Sequence, residues 1–131
     1  MDSLGYFVTI DADECRRLLG DASVGRVSWV SQADGIQVLP VTYGLIGDTI
    51  VFRVAEGSIL EELTQPVEVA FQVDDLDGGT ATGWAVLVHG TSGAWSGETP
   101  VGRPWAPGRR ELAVAIEARS WSGRSVSADE E

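Results

Sequence analysis

Arg53, Gly57 and Ser58 fall within one short stretch, TIVFRVAEGSILEEL at 49–63, and they are residue types that can hold an anion. The stretch reads as a strand, a loop at Ala55-Glu56-Gly57 and the start of a helix, with Ser58 in the cap position and Glu61 three residues on. The first N–H groups of a helix lack partners within it and favour negative charge. Gly57 lets a ligand approach the backbone, Ser58 adds a hydroxyl, and Arg53 adds a guanidinium from the preceding strand. Tyr43, one strand earlier, extends this to a polar set suited to a phosphorylated, planar molecule. The same residues also read as an ordinary helix cap beside a surface arginine.

Pro40 interrupts the strand expected over residues 36–43. Proline cannot donate to a ladder, so a strand edge or bulge is expected there, leaving the backbone of Val41, Thr42 and Tyr43 partly free. Trp84 opens a long strand after a Gly-rich loop and either stacks on a planar ligand or fills the core. His89 is the single histidine, and no His/Cys cluster suits zinc. Cys15 reads as a small buried helix residue rather than a nucleophile. Asp74, Asp75 and Asp77 lack the spacing of a calcium loop and read as a solvated turn. No G-x-S-x-G elbow supports a serine triad.

The formal net charge of −11 argues against binding nucleic acid or an anionic membrane through bulk electrostatics. All nine basic residues are arginine. Schiff-base chemistry on lysine is thereby excluded, and an anion site must rest on arginine and backbone N–H groups. One cysteine forms no internal disulfide. Residues 1–10 show neither a basic region nor a long apolar run, and no stretch has the length of a membrane span. A cytoplasmic protein is the expectation.

A chain of 131 residues suggests one domain, expected over residues 1–126, with an acidic tail at 127–131. The pattern predicts a helix over 11–20, capped by Asp11, and strands over 24–30, 36–43, 49–54, 67–73, 83–95 and 112–118. A second short helix follows Ser58, with Leu60 and Leu63 inward and Pro66 at its end. Asp34-Gly35 and Gly47-Asp48 mark turns. Residues 74–82 and 97–110 read as loops. Six strands with two short helices predict a mainly β fold, a six-stranded antiparallel split barrel.

The motifs VGRVSWV at 24–30, PVTY at 40–43, TIVFR at 49–53, GSILEEL at 57–63, FQVDDLD at 71–77, TGWAVLVHG at 82–90 and PWAPGRRELAVAIEA at 104–118 occur in an order and spacing that resemble a known family. This is the pyridoxamine 5′-phosphate oxidase-like family of flavin-binding split barrels, and within it the small actinobacterial members related to nitroimidazole-resistance proteins. The resemblance implies a homodimer with two flavin sites at the subunit interface. By position, the backbone of Val41, Thr42 and Tyr43 would line the ring. Arg53 and Ser58, beside Gly57, would hold the phosphate. Trp84 would lie near the ring, and the loop around Trp105 would approach from the partner. The implied function is an FMN-dependent oxidoreductase transferring hydride or electrons to or from a small molecule. Two alternatives share the fold: a reductase using a deazaflavin, and a non-enzymatic flavin or haem carrier or sensor, with His89 as the available iron ligand. The chain departs from many relatives at Ile59, where they carry Lys or Arg after the serine. A charge-assisted hydrogen bond of about 1.5–3 kcal/mol is absent there.

Overall fold

Alternating side chains set the inside and outside of every strand. In the computed structural model, which describes residues 5–97 and 112–128, the chain runs β1 (Gly5–Ile10), α1 (Ala12–Asp21), β2 (Val24–Ser31), β3 (Gly35–Ile46), β4 (Thr49–Val54), a 3-10 helix (Ile59–Thr64), β5 (Glu68–Asp77), β6 (Thr82–Ala94) and β7 (Leu112–Ala128). All pairings are antiparallel, in the order β1-β7-β4-β3-β2-β5-β6, and a further β6–β7 pairing closes six of the strands into a ring. Closure gives each of those six a neighbour on both sides over part of its length, while β3 stays unpaired with β4 before Tyr43. The mainly β, six-stranded antiparallel split barrel expected from the sequence is what forms.

The period-2 pattern explains which residues fill the barrel. On β2, Val27 and Trp29 are buried while Arg26 and Val30 face out. Val41 and Tyr43 on β3, Phe52 and Val54 on β4, Phe71 and Val73 on β5, and Val86 and Val88 on β6 join the same core. Leu19 and Cys15 on α1 close one end of it. Asp11 caps that helix as expected, its carboxylate accepting the Glu14 N–H at 2.9 Å.

Three expectations about the strands need correction. β1 was absent from the sequence reading; it exists because residues 123–128 of β7 run past β4 and offer it a free edge. For the same reason β7 continues to Ala128, so residues 127–128 are strand rather than tail. Residues 74–77 are not loop: Asp74–Asp77 pair with Thr82–Ala85, and only 78–81 turn. Of the edge or bulge expected at Pro40, the bulge does not form, since Pro40 sits in unbroken register opposite Arg26.

That last point has a backbone explanation. The Tyr43 N–H donates to the Ser23 carbonyl at 3.0 Å, toward β2. Alternation then turns the Pro40 nitrogen and the Thr42 N–H toward the other edge of β3. There, pairing with β4 begins only at Tyr43. Proline therefore removes no ladder bond, and the expected free edge is present at Thr42. The expected free backbone at Val41 and Tyr43 is corrected: both turn toward β2, where Ser23 takes the Tyr43 N–H.

Candidate functional site

Thr42 and Arg53 are the two expected site residues whose side chains the fold turns outward together. Tyr43 pairs with Phe52, both facing the core, so the next position along each strand, Thr42 and Arg53, lies on the outer face. Arg53 is exposed and Thr42 half-buried. The outer face continues down β3 through Pro40, Val38 and Ile36, and across to Val30, which pairs with Ile36. Ile36 is 76% exposed, Val30 68% and Val38 56%. An apolar strip thus lies on the outside of the barrel and ends beside a guanidinium.

Val41 and Tyr43 do not present side chains to this strip, because both point inward and are buried. The Tyr43 ring meets the Phe71 edge at 5.0 Å and 80°, and its hydroxyl donates to the Leu19 carbonyl. Burial pushes the phenol well above its ordinary pKa, so it stays neutral. The expectation that the Tyr43 hydroxyl reaches a ligand is therefore corrected: it is spent on tying β3 to α1.

Gly57 and Ser58 follow β4 directly. Gly57 has φ +88°, a left-handed backbone that favours glycine, and an added Cβ would meet no atom within 4 Å. The backbone there is open to approach. The cap expected of Ser58 is not made. Its hydroxyl donates instead to the Ala55 carbonyl at 2.7 Å, closing a tight turn. The Glu61 carboxylate reaches back to the Gly57 N–H at 2.7 Å. The following helix is a six-residue 3-10 segment, not an α-helix, so its dipole is short. Anion binding at this corner rests mainly on Arg53.

Two seams hold the 3-10 helix to the barrel. Glu62 accepts from the Ser31 hydroxyl at 2.7 Å and the Trp29 indole N–H at 3.1 Å. These donors, Ser31 first, hold its carboxyl below the usual range. At the other end, the Ser92 hydroxyl donates to the Gln65 carbonyl at 2.8 Å and accepts the Val67 N–H at 3.2 Å. The sequence reading missed Glu62. Its signal was faint: a glutamate one residue past the capping-box position, with a tryptophan and a serine two apart on a distant strand.

Trp84 is placed elsewhere. It pairs with Ser125 near the end of β7, whereas Arg53 pairs with Ala113 near its start. Twelve positions of strand separate them, about 40 Å of contour. Within one protomer they do not converge on one small ligand. Trp105 lies outside the described residues.

Cys15 and Asp74 are occupied structurally. Cys15 is buried, its Sγ 3.7 Å from the Ile10 carbonyl, and burial pushes its thiol pKa up, away from the thiolate. Asp74 accepts from Gln72 at 2.7 Å and pairs with Arg26 at 3.7 Å. Among the described residues no group of three or more His, Cys, Asp or Glu is arranged to hold a metal ion. His89 is exposed on the outer face of β6, opposite Ala70. No helix among the described residues is long and apolar enough to cross a membrane.

A closed six-stranded barrel with one extra strand and a helix at its end defines a class, and comparison with known proteins agrees. The chain belongs to the pyridoxamine 5′-phosphate oxidase family, whose model matches residues 11–125. It is 31% identical to uncharacterized protein Rv0080 of Mycobacterium tuberculosis, over 93% of this chain and 87% of that one. Among solved structures, an FAD-binding protein of Mycobacterium smegmatis superposes with a TM-score of 0.72 at 23% identity, covering 92% of this chain and 98% of that one. An FAD-binding protein of Mesorhizobium loti gives a TM-score of 0.74 at 18% identity, covering 94% and 98%. At these identities the two structures show the shared fold.

Proposed function

We propose that the protein is a homodimeric flavoprotein that binds FMN on its outer face and acts as an oxidoreductase on a small molecule. One observation carries the reading: the apolar strip Ile36, Val38 and Pro40 ends at Thr42 beside Arg53. That is the polarity of a flat apolar ring with an anionic tail. The guanidinium would hold the phosphate, the open backbone at Gly57 would let it approach, and Ser58 would border it. The free edge of β3 at Thr42 would offer an N–H to the ring. The FAD-binding proteins that share the fold support a flavin. A bound flavin supplies hydride or electron transfer; the chain's own residues bind it, orient it and exclude water.

A second copy of the chain would cover the exposed strip. Ile36, Val30 and Val38 form one contiguous patch, the kind of surface that marks an interaction site. The test is the absorption spectrum of the purified protein, with released cofactor identified by mass, and FMN titration of wild type and Arg53→Ala. No flavin in the purified protein and no uptake of added FMN would remove the reading. Competition between FMN and a deazaflavin decides the cofactor.

One observation favours a haem-carrying alternative. His89 borders an outer-face cleft of about 710 Å³ lined by Val30, Ile36 and Val67. Haem retained by the His89→Ala variant would exclude direct ligation by that residue.

A further inference from the structure

Where β6, β7 and β1 run on beyond the barrel, their inner face emerges as a shelf. Val86, Gly123 and Ile10 form one cross-strand row, and Val86 is core. The next row outward on that face is Trp84, Ser125 and Val8, with Asp75 opposite Trp84 on β5. Trp84 is half-buried and Val8 half-exposed. The first turns of α1 stand beside this shelf and, with it, enclose a cleft of about 520 Å³.

The charges around the cleft have one prevailing sign. Asp11, Glu14 and Arg17 line it from α1, and Asp75 flanks Trp84 from β5. Arg17 is already paired, with Glu14 and with Asp21 at 3.3 Å. Asp11 accepts the Glu14 N–H on one oxygen at 2.9 Å. Arg124 belongs to the opposite face, one position along from Ser125. Three carboxylates against one guanidinium leave a local balance of −2, on a chain of −11. A phosphorylated ligand is disfavoured here. A cation is favoured, and an indole face strengthens that preference through its quadrupole.

We propose that this cleft is a second ligand site, separate from the Arg53 corner, that takes a planar organic cation stacked on Trp84. Trp84 supplies the ring face, Ile10 and Leu18 the apolar wall, and Asp11 the charge. Within one protomer the cleft is distinct from the Arg53 corner, because Trp84 and Arg53 pair with opposite ends of β7.

The test is calorimetric titration of the full-length protein with N-methylquinolinium and with its neutral counterpart, quinoline. The cation binds more tightly than quinoline, by about threefold or more. Trp84→Ala weakens the cation at least about tenfold, and Trp84→Phe keeps most of the affinity. Asp11→Asn, which preserves the helix cap, weakens the cation and leaves quinoline unchanged, so the charge is read even if Trp84→Ala folds poorly. Arg53→Ala changes neither. Equal binding of cation and quinoline, an Asp11→Asn variant with unaltered cation affinity, or displacement of the cation by FMN would overturn the proposal.

Discussion

The two faces of the β2–β3 hairpin obey different rules. Inside, Val27, Trp29, Val41 and Tyr43 are buried, and the polar atoms among them are matched: the Trp29 N–H to Glu62 and the Tyr43 hydroxyl to the Leu19 carbonyl. Outside, Val30, Ile36 and Val38 are as apolar but stand in solvent. Single exposed apolar residues need no explanation, but adjoining ones on paired strands do. The inner face is accounted for by folding alone. The outer face carries residues that folding does not require, and so they point to a function.

The difference is sharpest where a substitution acts on one face and not the other. Phe71→Ala opens a cavity against Tyr43 in the core, and it is expected to cost roughly 3–5 kcal/mol of stability, read by chemical denaturation. Ile36→Asp should leave the stability of the protomer within about 0.5 kcal/mol, because the site is open. It should instead weaken self-association by about 2 kcal/mol, roughly thirtyfold in Kd, measured by sedimentation. A protomer destabilised by Ile36→Asp, with association intact, would erase the distinction between the faces. Arg53→Ala sits at the end of the outer strip. Its exposure puts it at the low end for a hydrogen bond to a charged group, about 1.5 kcal/mol or tenfold in FMN affinity.

How much of this was legible beforehand follows from the same contrast. Inward residues announce themselves by alternation, so VGRVSWV and GWAVLVH were readable as strands. Asp11 was readable as a cap because capping is local. β1 was not readable, because it depends on an edge that β7 offers more than a hundred residues later. The acidic run at 74–77 looked like a loop because composition says nothing of pairing with Thr82–Ala85. At the candidate site, Arg53 and the free edge at Thr42 followed from the strand pattern and from Pro40. Ser58 did not: its sequence fits a cap, but a 3-10 turn gave its hydroxyl a nearer acceptor in Ala55. Tyr43 looked like a ligand contact because which way its hydroxyl goes is decided by α1, a different element.

Glu62 is where the two faces meet, since it is held by inner-face donors and carries the 3-10 helix that follows Gly57 and Ser58. Its carboxylate accepts from Ser31 and Trp29, and the Ser31 hydroxyl in turn accepts the Ala33 and Asp34 N–H groups at 3.2 and 3.3 Å. A glutamine at 62 would turn an amide donor toward one of two donors, and the Ser31 oxygen is already accepting twice. The Glu62→Gln variant is therefore less stable than wild type near neutral pH. The carboxyl is held below its ordinary value in the folded state, so its stabilisation is complete above the unfolded pKa, about 4.3, and disappears as pH falls through the lower folded value. The stability gap between wild type and Glu62→Gln should narrow over that acid window and stay level above it, as measured by denaturation at a series of pH values. The gap persisting unchanged through the window would mean that the carboxylate is not what Ser31 and Trp29 hold. Because the variant touches no outer-face residue, any accompanying fall in FMN affinity would be transmitted through the helix to Gly57 and Ser58. Unaltered affinity would instead place the whole anion grip on Arg53.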